Sequence, residues 1–388
     1  MKLEGLKVVD LSWFLPGPYL TTALADHGAE VIKIEPPDGD PGRHIRPPDA
    51  RTSVFFRNMG RGKKSVVLDL KTKQGRADLV HLASQADVLV ESFRPGVAER
   101  FGIGYEAVKE KNPGIVYCSI SAFGQDGAYP GRAAHDLALE AMTGVLSLTL
   151  GDDGRPAIPG IPVADLVSGL HALSGVLMAL LRRTATGRGD YIDVSMHEAL
   201  MASCANVIGT AFTDGTQPDV KNQRTTGGSA FYRVYDTSDG RQLVLAGQEM
   251  KFIRNLLGAL GRPDLIDLCE WPGVHQKPVM DFLAETFRGK PLAHWMQWLD
   301  TLDICWGPVN TLPEAIDDAN LLKRSAIVVG EDGRKHLAPV VRFKDEPSRP
   351  TYREPLLGEH TEQVLAETRL ASLRAATGRP GRPPSGRP

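Results

Sequence analysis

Asp165 is where the chain points to chemistry most plainly. It stands in PVADLVSGL, where the sequence enters the long apolar stretch from Ile161 to Leu181. A carboxylate placed there gives up hydration, and one short of water is a better nucleophile or base than one whose pKa of about 3.9 is set in bulk solvent. The same place at the start of an apolar helix also suits an ordinary N-terminal cap, so the residue alone has two readings. Other chemistry-bearing patterns fail on spacing. GRGKKS at Gly60–Ser65 lacks a glycine five residues before Gly62, as a phosphate loop would need. His197-Glu198 opens a zinc-protease pattern, but position 201 is Met. Gly102-Ile103-Gly104 follows no strand and lacks the third glycine of a dinucleotide site, and no G-x-S-x-G elbow is present. Nucleotide hydrolysis, zinc proteolysis and serine hydrolysis are poor readings.

The elements that must position Asp165 follow from periodicity. Over the first two hundred residues, short β-branched runs alternate with helical patterns, which predicts parallel β-α-β units and an open α/β sheet. The runs are Lys7–Leu11, Glu30–Ile34, Ser65–Leu68, Val88–Val90, Ile115–Ser119 and Tyr191–Val194. Helical patterns cover Tyr19–His27, Gly75–Gln85 and Leu166–Arg182, the last predicted to be a buried helix rather than a membrane span because its stretch contains Asp165 and His171. Around Thr213–Gly228 the composition turns polar and Gly/Thr-rich. A hairpin pattern follows, with Phe231–Asp236 and Gln242–Ala246 about an Asp239-Gly240 turn. The expected organisation is a large domain over 1–212, a smaller α+β domain over 225–325, and a return to the large domain over about 326–377. Residues 378–388, GRPGRPPSGRP, have nothing apolar to bury and read as disordered.

Composition narrows the partners. The 388 residues suffice for a large domain and a second one, and 45 Lys+Arg against 47 Asp+Glu leave a net charge of -2, which provides no field for nucleic acid or anionic lipid. Cys118, Cys204, Cys269 and Cys305 are widely spaced and form no C-x-x-C pair, so no disulfide framework or zinc site is expected. The opening MKLEGLKVVDLSWFL lacks the uninterrupted apolar core of a signal peptide. A reducing cytoplasm is the expected compartment.

Several segments in order carry a resemblance: LEGLKVVDLSWFLPGPYLTTALADHGAEVIKIEPPDGDPGR, RGKKSVVLDLK, VLVESFRPGVAERFGIGY, PGIVYCSISAFGQDG, AAHDLALEAMTGVLSL, IPVADLVSGLHALSGVLMALLRRTATGRGDYIDVSMHEAL and GGSAFYRVYDTSDGRQLVLAGQEMKF. Over about residues 3–365 the chain resembles the family III CoA-transferase superfamily, which includes formyl-CoA and carnitine CoA-transferases and the 2-methylacyl-CoA racemases. The resemblance implies an interlocked homodimer of Rossmann-like large domains with a small domain between. It implies acyl-CoA and carboxylic acid as substrates and no permanently bound cofactor.

Asp165 matches the family's catalytic aspartate. In CoA transfer it would attack the thioester carbonyl, pass through a mixed anhydride and become an aspartyl-CoA thioester, so that thioester energy is conserved without ATP. Backbone N–H groups near Gly227 and Gly228 would stabilise the oxyanion, since glycine permits close approach. His135, followed by Asp136, stands where many transferases have Tyr and the racemases have His. Glu249 in AGQEMKF matches an acidic residue of the racemases, so His135 and Asp165 would there be a pair of α-proton bases with Glu249 in support. Each has a plain alternative, a helix-end or CoA-contacting residue for His135 and a solvated helix start for Glu249. Arg100 and Lys71 match positions that contact CoA in the family, with Arg94 close by, and phosphate contact is expected of them; Phe14, Leu68, Ser92 and Phe93 match the surroundings of adenine and ribose; Tyr232 matches an aromatic near the acyl pocket. Departures are Pro36 in KIEPP, where relatives place a base, and Ala164, where racemases usually have Gly. CoA transfer leads, racemisation or epimerisation follows closely, and a CoA-binding protein without turnover is the remote alternative.

Overall fold

The computed structural model describes residues 1–49, 52–151 and 153–377. The chain divides into two compact units. The first comprises Met1–Val145, Ile158–Ser203 and the described residues from Lys323 onward; the second comprises Leu146–Ala157 and Cys204–Leu322.

All six expected strands of the first unit are present, with ends shifted by one or two residues. Chain order runs β1 (Lys7–Asp10), α1 (Pro16–Asp26), β2 (Glu30–Glu35), β3 (Lys64–Val67), α2 (Lys73–Ala83), β4 (Val88–Glu91), α3 (Val97–Phe101) and β5 (Val116–Ser121). Then come α4 (Asp136–Met142), α5 (Val163–Thr186), β6 (Tyr191–Ser195) and α6 (Met196–Ala202). They form one parallel sheet in the order β3-β2-β1-β4-β5-β6. Period-two alternation sends Val8, Val31, Val88 and Val116 into a core with Leu20 and Leu24 of α1 and Ala172 and Val176 of α5. Their neighbours Val9, Ile32, Val66 and Leu89 enter a second core with Leu79 and Leu82 of α2. Both faces are covered, which is why these strands read as continuous apolar runs. The strand order reverses between β1 and β4. In a doubly wound sheet the crevice at the carboxyl ends of those two strands is the natural ligand site.

Helix α5 corrects the expectation of a buried helix. Its small residues Ala164, Ser168, Gly169 and Ala172 are buried, and a Cβ on Gly169 would lie 2.7 Å from the Pro16 carbonyl oxygen, so α5 lies almost against the backbone that opens α1. The opposite stripe is open: Leu177 is 41% exposed, Met178 65% and Leu181 73%. By length and composition α5 is apolar enough to cross a membrane. The close fit of its small-residue face on α1 is the packing of a globular unit.

The second unit has its own core around an antiparallel sheet of β7 (Tyr232–Asp236), β8 (Gln242–Ala246) and, following the helices α7 (Met250–Ala259), α8 (Lys277–Arg288) and α9 (Leu292–Leu299), β9 (Trp306–Pro308). The hairpin is the one read from Asp239-Gly240. The division between units falls at Cys204 rather than near residue 212, and Leu146–Ala157 joins the second unit, where the Ser147 hydroxyl accepts a hydrogen bond from the Gln217 amide at 3.0 Å. After Lys323 the chain lies in the first unit, and Lys335–Leu337 pairs with Ile327–Val329. The Gly358 N–H donates to the Ser65 hydroxyl at 2.8 Å, and the Val67 N–H to the Thr361 hydroxyl at 3.0 Å where α10 (Thr361–Thr377) begins. This covers edge strand β3. The tail over 378–388 lies outside the described residues.

Candidate active site

A cavity of about 370 Å³ opens at the carboxyl ends of the strands of the first unit. Trp13 and Phe14 follow β1, Ser92, Phe93 and Arg94 follow β4, Phe123 and Gly124 follow β5, Met196 follows β6, and His135 and Asp165 come from the starts of α4 and α5. The switch point of the sheet thus gathers six of the residues named from the sequence, Phe14, Ser92, Phe93, Arg94, His135 and Asp165.

The loop after β1 is held tightly. The Ser12 N–H and hydroxyl both donate to one Asp10 oxygen, at 2.9 and 2.5 Å, and the Trp13 N–H donates to the Ser92 hydroxyl at 3.0 Å. Lys33 donates to the Ser12 carbonyl and pairs with Asp40 at 2.7 Å, while Lys63 pairs with Asp10 at 3.2 Å. Burial opposes charge on Asp10, but Lys33 and Lys63 together with the Ser12 and Thr21 hydroxyls outweigh it and hold the carboxyl at about 2. This buried network keeps Phe14 at a φ of 60°, a left-handed conformation costly for an aromatic residue by ~1–3 kcal/mol. The Phe14 ring stands edge-on to the His135 imidazole, with centroids 5.9 Å apart.

Asp165 lies in the first turn of α5, but it is not the cap: Pro162 occupies that position and no side chain caps the helix. The positive end of a helix lowers a carboxyl pKa by less than ~1 unit. Burial acts the other way and more strongly, and with the neighbouring Asp136 charge it pushes Asp165 up from 3.8 to about 7. Among the described residues no cation contributes. The Asp165 N–H donates to Asp136 Oδ1 at 3.2 Å, so Asp136 holds the backbone from which the Asp165 side chain projects. His135 is the residue at the start of α4, yet its ring makes no capping hydrogen bond and is exposed to the cavity.

Other sequence-named residues fall elsewhere. Leu68 is buried in the core beside β3, where packing accounts for it. Lys71 and Arg100 are exposed, on the loop after β3 and on α3. In the second unit, Tyr232 begins β7 and is 38% exposed, and Glu249 precedes α7, exposed and without a capping hydrogen bond. Gly227 has a φ of 104°, which requires glycine. Gly228 is a correction to the expected oxyanion donor: its N–H is taken by the Gln223 carbonyl at 2.9 Å, and its missing Cβ serves packing, since one would lie 2.1 Å from the Asn222 carbonyl carbon.

Four residues went unnoticed in the sequence. Trp13 and Arg132 line the cavity, Arg132 with its guanidinium 5.4 Å from the Tyr129 ring centroid. Glu91 at the end of β4 is pushed by burial to about 7 and accepts the Phe93 N–H at 2.6 Å. Glu140 on α4 is fully buried. All four lie in or beside the quoted segments, but nothing local marks Glu91 and Glu140, because their burial comes from tertiary packing.

Comparison with known proteins identifies the family. The family model described as CoA-transferase family III matches residues 3–361. Succinyl-CoA:glutarate CoA-transferase of Mus musculus is 33% identical over 379 residues, covering 94% of this chain and 86% of the mouse protein. Alpha-methylacyl-CoA racemase of Homo sapiens is also 33% identical, over 374 residues, covering 95% and 93%. A crystal structure of a CAIB/BAIF family protein from Brucella suis superposes with a TM-score of 0.82 at 30% identity, covering 94% of this chain and 99% of that one. A parallel sheet whose switch point presents a desolvated aspartate, in a sequence matched by the family model over residues 3–361, leaves one conclusion: the chain belongs to CoA-transferase family III.

Proposed function

We propose that this protein moves CoA between an acyl-CoA and a carboxylic acid, with Asp165 as the covalent carrier. The observation that carries the reading is the Asp165 carboxyl itself, poised at about 7 by burial and by Asp136 on the wall of a largely apolar cavity. Ionised there, it attacks the thioester carbonyl and expels CoA thiolate, giving a mixed anhydride. The thiolate then attacks the aspartyl carbonyl, freeing the first acid and leaving an aspartyl-CoA thioester. The acceptor carboxylate repeats the two steps in reverse, and Asp165 returns to its free form. Low hydration favours each attack. Phe14, Ser92, Phe93 and Arg94 meet the CoA thioester in this reading, with Arg100 and Lys71 toward its phosphates.

The working form is a homodimer in the cytoplasm; the dimer is supported by the open apolar stripe Leu170, Leu177, Met178 and Leu181 on α5, which a second copy would cover. Its partners are small thioesters and acids, with no role for nucleic acid or a membrane.

A second reading, α-proton exchange by a racemase or epimerase, is favoured by one observation: His135 and Asp165 line the same cavity. A protein that binds CoA thioesters without turning them over is the remaining alternative. One experiment separates the three, incubation in heavy water with a panel of acyl-CoAs and mixed acids, read by mass spectrometry. New acyl-CoAs without deuterium at the α-carbon support transfer; deuterium entering an unchanged acyl-CoA supports racemisation and refutes the leading reading. No change in any thioester leaves binding alone. His135→Ala abolishes the deuterium entry but only weakens transfer.

A further inference from the structure

Glu140 has a side chain with no exposed surface and, among the described residues, no hydrogen-bond partner of ordinary geometry for either oxygen. It lies on α4 one turn after Asp136, whose carboxyl is its neighbour. Among the described residues the Val163 N–H is the one donor close enough to favour its charge, without completing a hydrogen bond. A buried carboxylate left so would be very costly, whereas a buried carboxylic acid beside a carboxylate has an obvious partner. Asp136, on α4 itself, bears on Glu140, whereas Asp165, His171, His197 and Glu198, on the helices packed against α4, do not.

We infer that Glu140 is a protonated positioning residue: its O–H donates to the Asp136 carboxylate, and Asp136 in turn accepts the Asp165 N–H. The chain of contacts Glu140, Asp136, Asp165 runs from the floor of the first core to the cavity wall. It confines one negative charge behind Asp165 and fixes the direction of the Asp136 carboxylate, and so the backbone turn that aims Asp165 into the cavity. The direction of the Glu140 titration agrees, since burial first and Asp136 second both raise it. Gln in its place keeps a donor toward Asp136; Leu keeps the volume and loses the donor.

The role in turnover rests on the function proposed above, but the proton can be tested without it. Infrared difference spectra of the whole protein at about pH 9, where Asp165 and Glu91 with pKa near 7 are ionised, should show the C=O band of a buried carboxylic acid. The band disappears in Glu140→Gln and persists in Asp165→Asn. Absence of the band in the wild type, or its persistence in Glu140→Gln, overturns the inference whether or not the protein turns over thioesters. In the activity assay Glu140→Gln stays within a factor of about three of wild type, while Glu140→Leu loses about tenfold in kcat with the acyl-CoA KM unchanged, as expected for one displaced hydrogen bond. Equal losses in both variants, or a loss confined to KM, would assign Glu140 to packing or binding instead. A wild type with the band but no turnover on any thioester refutes the proposed function and leaves the shared proton standing.

Discussion

Removing the charge of Asp136 while keeping its shape should move the pH dependence of the reaction toward acid. Asp136→Asn retains an oxygen to accept the Asp165 N–H, so the backbone at the start of α5 is held as before. What it removes is the like charge that helps burial raise Asp165 from 3.8 to about 7. That rise is ~3 pH units in all, and burial is the larger cause, so the share of Asp136 is below half and an expected drop is ~1 unit, or ~1.4 kcal/mol. The reacting form of Asp165 is the carboxylate, which accumulates as pH rises through its pKa. The acid limb of kcat/KM should therefore fall near about pH 7 in the wild type and near about pH 6 in the variant. The assay is thioester turnover from about pH 5 to about pH 9, with CoA release or new acyl-CoA measured by chromatography. An acid limb that stays in place, or moves upward, refutes the claim that Asp136 acts on Asp165 through charge.

The same shift makes a stability prediction. A carboxyl whose folded pKa is raised destabilises the folded state as pH climbs from 3.8 through about 7, because the unfolded chain releases the proton first. Asp165→Asn should then be more stable than wild type by ~1–2 kcal/mol in urea at about pH 8 and no more stable at about pH 4, after allowance for partial solvent screening; an equal gain at both would refute the shift. Gly169→Ala sets a Cβ 2.7 Å from the Pro16 carbonyl and should cost ~1–3 kcal/mol in denaturant melts, with lower turnover because Pro16 lines the cavity. Lys63→Met strips one of two ammonium groups from wholly buried Asp10 and should cost ~3 kcal/mol in the same measurement; an unchanged midpoint would show that Lys33 alone suffices.

The strands of the first unit were legible because both sheet faces are covered, so each strand is a short β-branched run such as Lys7-Val8-Val9 with nothing else to become. Their order was not legible from periodicity, since parallel strands separated by helices fix no neighbour. The reversal between β1 and β4, on which the cavity depends, appears only in the hydrogen-bonded registers. Asp165 announced itself by standing at the head of an apolar helix, yet its position alone equally suggested a cap, and only the fold shows Pro162 in that place. The open stripe of α5 misled for a related reason: Leu177 and Leu181 have the spacing of core residues and are exposed in a single chain. Glu140 sits in DLALEAM with the spacing of a solvated helix face, and no local pattern distinguishes it from one. The Gly227-Gly228 pair divides on inspection, one glycine needed for its φ and the other for a close backbone contact.

The covalent role of Asp165 is tested most directly by trapping. The protein is incubated with an acyl-CoA that it turns over, quenched with hydroxylamine, digested and examined by mass spectrometry. An aspartyl anhydride or thioester at Asp165 is converted to a hydroxamate, so the peptide containing Asp165 should carry that mass change in wild type and not in Asp165→Asn. Steady turnover to new acyl-CoAs with an unmodified Asp165 peptide, or with the hydroxamate on another residue, would contradict the account.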